Sequence, residues 1–172
     1  MNLNNFLPVE SYILTTKLSV DEVRARIQQN TSPKKDMGFF APKNNSSKPY
    51  EGSITSNSFK ISRIINYTNS FLPIITGTIS SYAGRTEVKI NMRLASFVKI
   101  FVLIFMGLIG VALIVHLFLF ARNMPAKSSF SLLITFISFI FCGLLTYFAF
   151  KKESTISKQF LAKVLEGEEI NA

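Results

Sequence analysis

Apolar and polar residues alternate in twos over much of the first 94 residues, and the chain then changes character. Tyr12, Leu14, Thr16 and Leu18 interleave with Ile13, Thr15 and Lys17, a strand pattern. Ser19 and Glu22 follow as an S-x-x-E capping box, and Val20, Val23 and Ile27 recur at helical spacing, predicting a short amphipathic helix over 20–30. Thr31–Lys48, rich in Pro, Lys, Asn and Ser, reads as a loop from which Phe39 and Phe40 reach the core. Tyr50–Thr55 predicts a short strand. Phe59, Ile61, Ile65 and Tyr67 alternate over a stronger one. Ile74–Tyr82 and Arg85–Leu94 flank Ala83-Gly84, and a two-residue hairpin turn there fixes the register. Ile75 then faces Met92, Gly77 faces Ile90 and Ile79 faces Val88. On the opposite, polar face Thr76 meets Asn91, Thr78 meets Lys89 and Ser80 meets Glu87.

From residue 97 the alternation stops. Phe97–Phe120 and Phe130–Phe150 are two apolar runs, each long enough for a helix to cross the ~30 Å hydrocarbon core of a bilayer. The second run has no charged residue; the first has Lys99 near its start and His116 near its end. Only Ala95 and Ser96 separate the last strand from the first run, so the sheet is expected to sit against the membrane. After the second run, Ile156, Phe160, Leu161, Val164 and Leu165 form a helical stripe, with Gly167 as its stop. The expected organisation is a domain over 1–96, spans at 97–120 and 130–150 with a 121–129 connector, and a C-terminal helix in 151–172 that returns to cover the sheet.

Charge sets the orientation. Of the 172 residues, 19 are Lys or Arg and 10 are Asp or Glu, for a net charge of +9. Arg85, Lys89, Arg93 and Lys99 precede the first run, and Lys151, Lys152 and Lys158 follow the second. The connector holds only Arg122 and Lys127. The positive-inside rule places both termini in the cytoplasm, in a bacterial inner membrane if the Asn-, Ile-, Lys-rich composition marks an AT-rich genome. Arg85, Lys89, Arg93, Lys99, Lys151 and Lys152 are read as basic residues of the membrane face, as topology determinants or as a surface for anionic lipid. The N-terminus lacks a basic region followed by an apolar one, so it is not read as a signal peptide, and the first domain is expected to stay on the side of synthesis. No basic run is interleaved with aromatics, which argues against nucleic acid as a partner. A single cysteine, Cys142, excludes disulfide frameworks and cysteine metal sites within one chain.

The fold class expected is α+β: an antiparallel sheet with an N-terminal and a C-terminal helix, interrupted by a transmembrane helical hairpin. The order strand, helix, strands, helix resembles helix-grip folds in topology, which implies room for an apolar ligand between sheet and helix. The stretch FKISRIINYTNSFLPIITG also resembles a pattern of small bacterial two-span membrane proteins, F-x-I-x-R-x-I-x-Y-x-N-S-F-x-P-x-x-x-G, followed by M-R-L before an apolar hairpin. The matching residues are Phe59, Ile61, Arg63, Ile65, Tyr67, Asn69, Ser70, Phe71, Pro73 and Gly77, then Met92, Arg93 and Leu94. The resemblance covers roughly residues 50 to 150 and implies architecture, not a catalytic residue.

Arg63 stands out. It shares a strand face with Phe59 and Ile61, so if that face is buried the guanidinium points inward and needs a partner. One register sets it opposite Gly77, where the missing side chain leaves room. Its reading is either an anion or headgroup site with Asn69 and Ser70, or a structural arginine at the rim or paired with a carboxylate such as Glu51. Asn69-Ser70-Phe71-Leu72-Pro73 also reads as a shaped turn. Ser131, Thr135, Ser138, Cys142 and Thr146 form a stripe of small residues on the second run, and Gly107 and Gly110 offer a matching surface on the first. They pack the hairpin, or receive another subunit or a second copy. His116 is an intramembrane ionisable group, but neither run holds a carboxylate to complete a proton relay.

No P-loop, G-x-S-x-G, H-E-x-x-H or C-x-x-C motif is present, and no cofactor or metal is expected. The expected function is non-catalytic: an integral membrane accessory or adaptor that presents its domain to a protein partner or to anionic headgroups. The alternatives are a helix-grip binder of a lipid and, behind it, an enzyme acting on a membrane substrate. A cavity between sheet and helices would favour the ligand binder.

Overall fold

The computed structural model describes residues 7–33, 47–122 and 127–170. Phe39 and Phe40, part of the expected loop and part of the expected connector lie outside them. The chain is α+β. In order it forms β1 (Val9–Thr16), α1 (Val20–Gln29), β2 (Thr31–Pro33), β3 (Tyr50–Ile54), β4 (Ser58–Arg63), β5 (Pro73–Tyr82), β6 (Arg85–Leu94), α2 (Ser96–Ala121), α3 (Lys127–Val164) and β7 (Glu168–Ile170). Among the described residues the strands make one seven-stranded sheet in the order β2-β3-β4-β5-β6-β1-β7.

The β5–β6 hairpin has the register its sequence dictates. Ile75 pairs with Met92, Gly77 with Ile90, Ile79 with Val88, and Thr78 with Lys89. Ala83 and Gly84 both take positive φ, 49° and 75°, as a type I′ turn requires. Ser19 and Glu22 close the capping box of α1: the Ser19 hydroxyl accepts from the Glu22 N–H, and the Glu22 carboxylate accepts from the Ser19 N–H at 2.7 Å.

Four expectations need correction. The sheet is mixed, because Thr31–Pro33 forms β2 and runs parallel to β3. The second apolar run and the C-terminal helix are one element: α3 spans 38 residues without a break at 150, about 57 Å at 1.5 Å per residue. The polarity changes at Lys151, but Lys-Lys-Glu are good helix formers and nothing there interrupts the backbone ladder. Residues 168–170 do not belong to the expected C-terminal helix; they form β7, which adds antiparallel to β1. Gly167 does not supply the left-handed residue that ends α3; Glu166 does, at φ 48°, and Gly167 N–H closes back on Ala162 O at 3.0 Å in a Schellman-type cap.

The core lies between one face of the sheet, α1 and the C-terminal half of α3. Leu14, Phe59, Ile61, Ile75, Ile79, Val88, Ile90 and Met92 from the sheet meet Val23 and Ile27 of α1 and Phe150, Leu161 and Leu165 of α3. Phe59 sits directly across from Gly77, and its ring covers the glycine so closely that a Cβ there would fall 2.2 Å from the ring. Tyr50 packs on Phe160 of α3 with ring centroids 4.8 Å apart. Arg26 Nη1 donates to Val164 O at 2.9 Å and to Glu166 Oε1 at 2.7 Å, tying α1 to the carbonyl end of α3.

α2 follows β6 after Ala95 alone and packs against α3. Both helices are long and apolar enough to cross a membrane, and their apolar windows are almost entirely exposed. Gly107 and Gly110 do not form the expected close contact with α3: a Cβ at either would meet nothing within 4 Å, and it is Gly143 that faces Met106.

Candidate functional site

The sequence that follows the apolar run of α3 places polar groups where a core stripe would continue. Leu165 and Leu161 recur at four-residue steps, and the same stripe carried back reaches Ser157 and Glu153. Both are fully buried, as is Ser154 beside Glu153. A buried carboxylate must be paired and hydrogen-bonded to persist as an ion.

The sheet supplies the partners from both sides of α3. Arg63, at the end of β4 on the inward face, donates from Nη1 to Glu153 Oε2 at 2.6 Å. The Tyr67 hydroxyl donates to Glu153 Oε1, and Asn69 Nδ2 approaches the same oxygen at 3.5 Å. Asn69 is itself held by its turn, since its Oδ1 accepts the Phe71 N–H at 3.0 Å. The Tyr67 hydroxyl is pushed above its ordinary pKa, first because it donates to the Glu153 carboxylate and then by burial. Arg63 is pushed up despite burial, because the Glu153 carboxylate and Tyr67 stabilise its charge.

One residue further on, the other side of α3 is fastened. Glu10 of β1 accepts from Ser154 Oγ at 2.7 Å and from Lys151 Nζ at 3.1 Å, and Lys158 Nζ lies 3.6 Å from its second oxygen. Burial alone would raise the Glu10 carboxyl; the Ser154 and Lys151 hydrogen bonds and the two lysine charges outweigh it, so the carboxyl lies below its ordinary range. Lys158 also pairs with Glu169 of β7 at 2.6 Å and stands over the Tyr12 ring at 4.8 Å. Strands β1 and β4 are separated by β5 and β6, about 14 Å at ~4.8 Å per strand. Adjacent residues of α3 therefore grip the sheet on both flanks.

Of the residues singled out from sequence, the structure joins Arg63 and Asn69, but on Glu153. Ser70 is exposed and outside the cluster. Arg63 faces inward as expected. It lies opposite Tyr50, however, and Gly77 is taken by Phe59; Glu51 sits opposite Ser62, on the other face from Arg63. The basic residues do not form one membrane-facing cluster. Arg85 begins β6 at the hairpin turn, nine residues from Leu94 and so about 30 Å from the junction with α2, and Lys89 lies about 17 Å from it. Arg93, Lys99, Lys151 and Lys152 are the ones at that end. In the helices, His116 Nδ1 donates to Ala112 O at 2.7 Å, Thr135 to Ser131 O at 2.9 Å and Thr146 to Cys142 O at 2.9 Å, each within its own helix. Ser138 is exposed on α3. No group of three or more His, Cys, Asp or Glu side chains with metal-binding geometry occurs among the described residues.

Glu153 and Glu10 were missed by sequence reasoning. The four-residue recurrence 165, 161, 157, 153 was the available signal for Glu153. Glu10 precedes the alternating run and shares the face of Tyr12 and Leu14. No protein-family model matches the chain, and no curated protein matches it significantly.

Proposed function

We propose that this chain is a non-catalytic, membrane-embedded accessory protein, a two-span hairpin that carries a sheet domain rigidly against the bilayer surface and presents it to a partner subunit. The observation that carries the reading is the double fastening of α3: one uninterrupted helix runs from the apolar segment into the domain core and is held there by Arg63–Glu153 on one flank and Glu10–Ser154 on the other. The second junction is equally short, with Ala95 alone between β6 and α2. A domain mounted in this way keeps its orientation relative to the membrane, as a subunit that docks a partner at a fixed height requires. Both termini lie on the cytoplasmic side in this reading, in keeping with the basic flanks.

The helix-grip alternative needs space between sheet and helix. That interface is filled by Phe59, Ile75, Val88, Met92, Leu161 and Leu165. Cavities instead open on the outer sheet face, at the β2–β3 edge, at the junction with α2 and near the hairpin turn, and α3 walls none of these.

Native mass spectrometry of the protein extracted gently from its own membranes tests the proposal. A complex of fixed stoichiometry containing a second polypeptide is the expected result. A monomer carrying one defined lipid mass would overturn it in favour of ligand binding.

A further inference from the structure

We infer that the outer face of the sheet holds a binding site for a small soluble polyol bearing two phosphate groups. The site does not depend on what surrounds α2 and α3, but the choice of a soluble ligand over a headgroup rests on the membrane reading proposed above. It rests on two adjacent cross-strand rows whose register is fixed by the hairpins. The first row runs Ser11–Asn91–Thr76–Lys60–Ser53 across β1, β6, β5, β4 and β3. The second runs Ile13–Lys89–Thr78–Ser58. Together they line a bowl of about 560 Å³, within the range that holds small ligands.

The charge of the bowl is one-sided. It contains two lysines and six Ser or Thr side chains and no carboxylate. Neither Lys60 nor Lys89 has an ion-pair partner among the described residues. The nearest acid along β6, Glu87, lies one row nearer the hairpin turn, outside the lining. Lys60 and Lys89 flank β5 diagonally, two strands and two residues apart, so their Cα atoms are about 12 Å from each other. Two flexible ammonium groups at that spacing suit two phosphates better than one. Thr78 stands between them on β5 and Ser53 lies beyond Lys60 on β3, and neither hydroxyl is committed among the described residues. Ser11 Oγ accepts from Asn91 Nδ2 at 2.6 Å and so keeps its own proton free to donate. These donors fit ligand hydroxyls and phosphate oxygens.

Position argues for a soluble ligand over a lipid headgroup. Asn91 and Lys89 precede Leu94 by three and five residues, about 10 and 17 Å along β6. The headgroup layer adds only about 5–8 Å beyond the hydrocarbon core.

The test is calorimetric titration of the full chain, held in phosphatidylcholine nanodiscs, with fructose 1,6-bisphosphate as probe and inorganic phosphate and an octaglutamate peptide beside it. Saturable one-to-one binding of the bisphosphate is expected. Lys60→Gln and Lys89→Gln should each weaken it tenfold or more, and Lys163→Gln, an exposed charge on α3, should leave it unchanged. Both bowl lysines are exposed, and an unchanged thermal midpoint shows that the variants fold. Absence of saturable binding would overturn the proposal, as would binding that persists in the double lysine variant. Tighter binding of octaglutamate than of the bisphosphate would also overturn it and point to an acidic protein segment. A lysine-dependent preference for phosphatidylglycerol nanodiscs without bisphosphate binding would overturn it in favour of a headgroup.

Discussion

Arg63 Nη1 lies 2.6 Å from Glu153 Oε2, joining a strand end to a helix residue ninety positions later. The pair is unequal. Glu153 is fully buried, whereas the Arg63 side chain keeps about a quarter of its surface exposed. Removing the arginine strands a buried carboxylate; removing the carboxylate lets the arginine turn to water.

The asymmetry makes a prediction about single and double variants. Arg63→Met should cost about 3–5 kcal/mol, the usual penalty for leaving a buried ion unpaired. Arg63→Met combined with Glu153→Met should recover most of that loss, because well-packed apolar replacements of buried pairs are often neutral or stabilising. Thermal midpoints in mild detergent measure both. Equal loss in the single and double variants would show that Glu153 does not depend on Arg63.

Glu10 links the other flank of α3 to pH. Its folded carboxyl lies below the ordinary value of 4.5, so the folded state holds fewer protons than the unfolded state in that range. The stabilisation is fully present above about pH 4.5 and is lost as pH falls through the folded value. The stability gap between wild type and Glu10→Gln should therefore be wide at pH 7 and narrow progressively below pH 4.5. A gap that stays constant with pH would mean the Glu10 charge contributes nothing.

Much of this arrangement was legible, and the failures have physical causes. The hairpin register followed from Ala83-Gly84, because a two-residue turn leaves one pairing for ten residues on each side. The inward direction of Arg63 followed from the period of two. The partner did not, since pairing across ninety residues depends on where α3 crosses the sheet. Glu153 was overlooked because the stripe was traced through apolar residues only, and a core helix can carry a paired carboxylate in that stripe. The unity of α3 was hidden by the change from apolar to charged residues at Lys151, which alters the solvent a helix meets and not the helix. β2 and β7 are three residues each and draw their stability from neighbouring strands, so Thr-Ser-Pro and Glu-Glu-Ile carry little signal of their own.

The contact of Phe59 with Gly77 offers a test of the sheet core away from charge. A Cβ at residue 77 would sit 2.2 Å from the Phe59 ring, which is itself buried. Gly77→Ala should destabilise by about 1–3 kcal/mol, the range for overpacking a filled core. Adding Phe59→Leu should restore part of the loss, because the smaller side chain vacates the space the methyl needs. If the single variant is as stable as wild type, the ring is free to move and the contact is not a constraint.

Continuity of α3 leads to a test that separates helix phase from helix composition. Each residue turns the helix by about 100°, so one alanine inserted between Phe150 and Lys151 leaves the apolar run intact and rotates everything after it. Glu153, Ser154, Ser157, Leu161 and Leu165 would leave the sheet, and Arg63 and Glu10 would lose their partners together. The domain should then lose protection of β5 and β6 amides by orders of magnitude in hydrogen exchange. An insertion of four alanines returns the stripe to within about 40° of its original direction at the cost of a ~6 Å shift, and the local packing decides how much of the protection returns. The informative control is a single alanine inserted after Ile170, past the last strand, where it displaces none of these contacts: exchange in β5 and β6 should stay near wild type. Loss of protection by the first insertion and not by the control would establish that the phase of α3, set within the apolar segment, is transmitted to the sheet. Equal protection in both would mean that the two halves of α3 are uncoupled and that the domain folds without regard to the apolar segment's rotation.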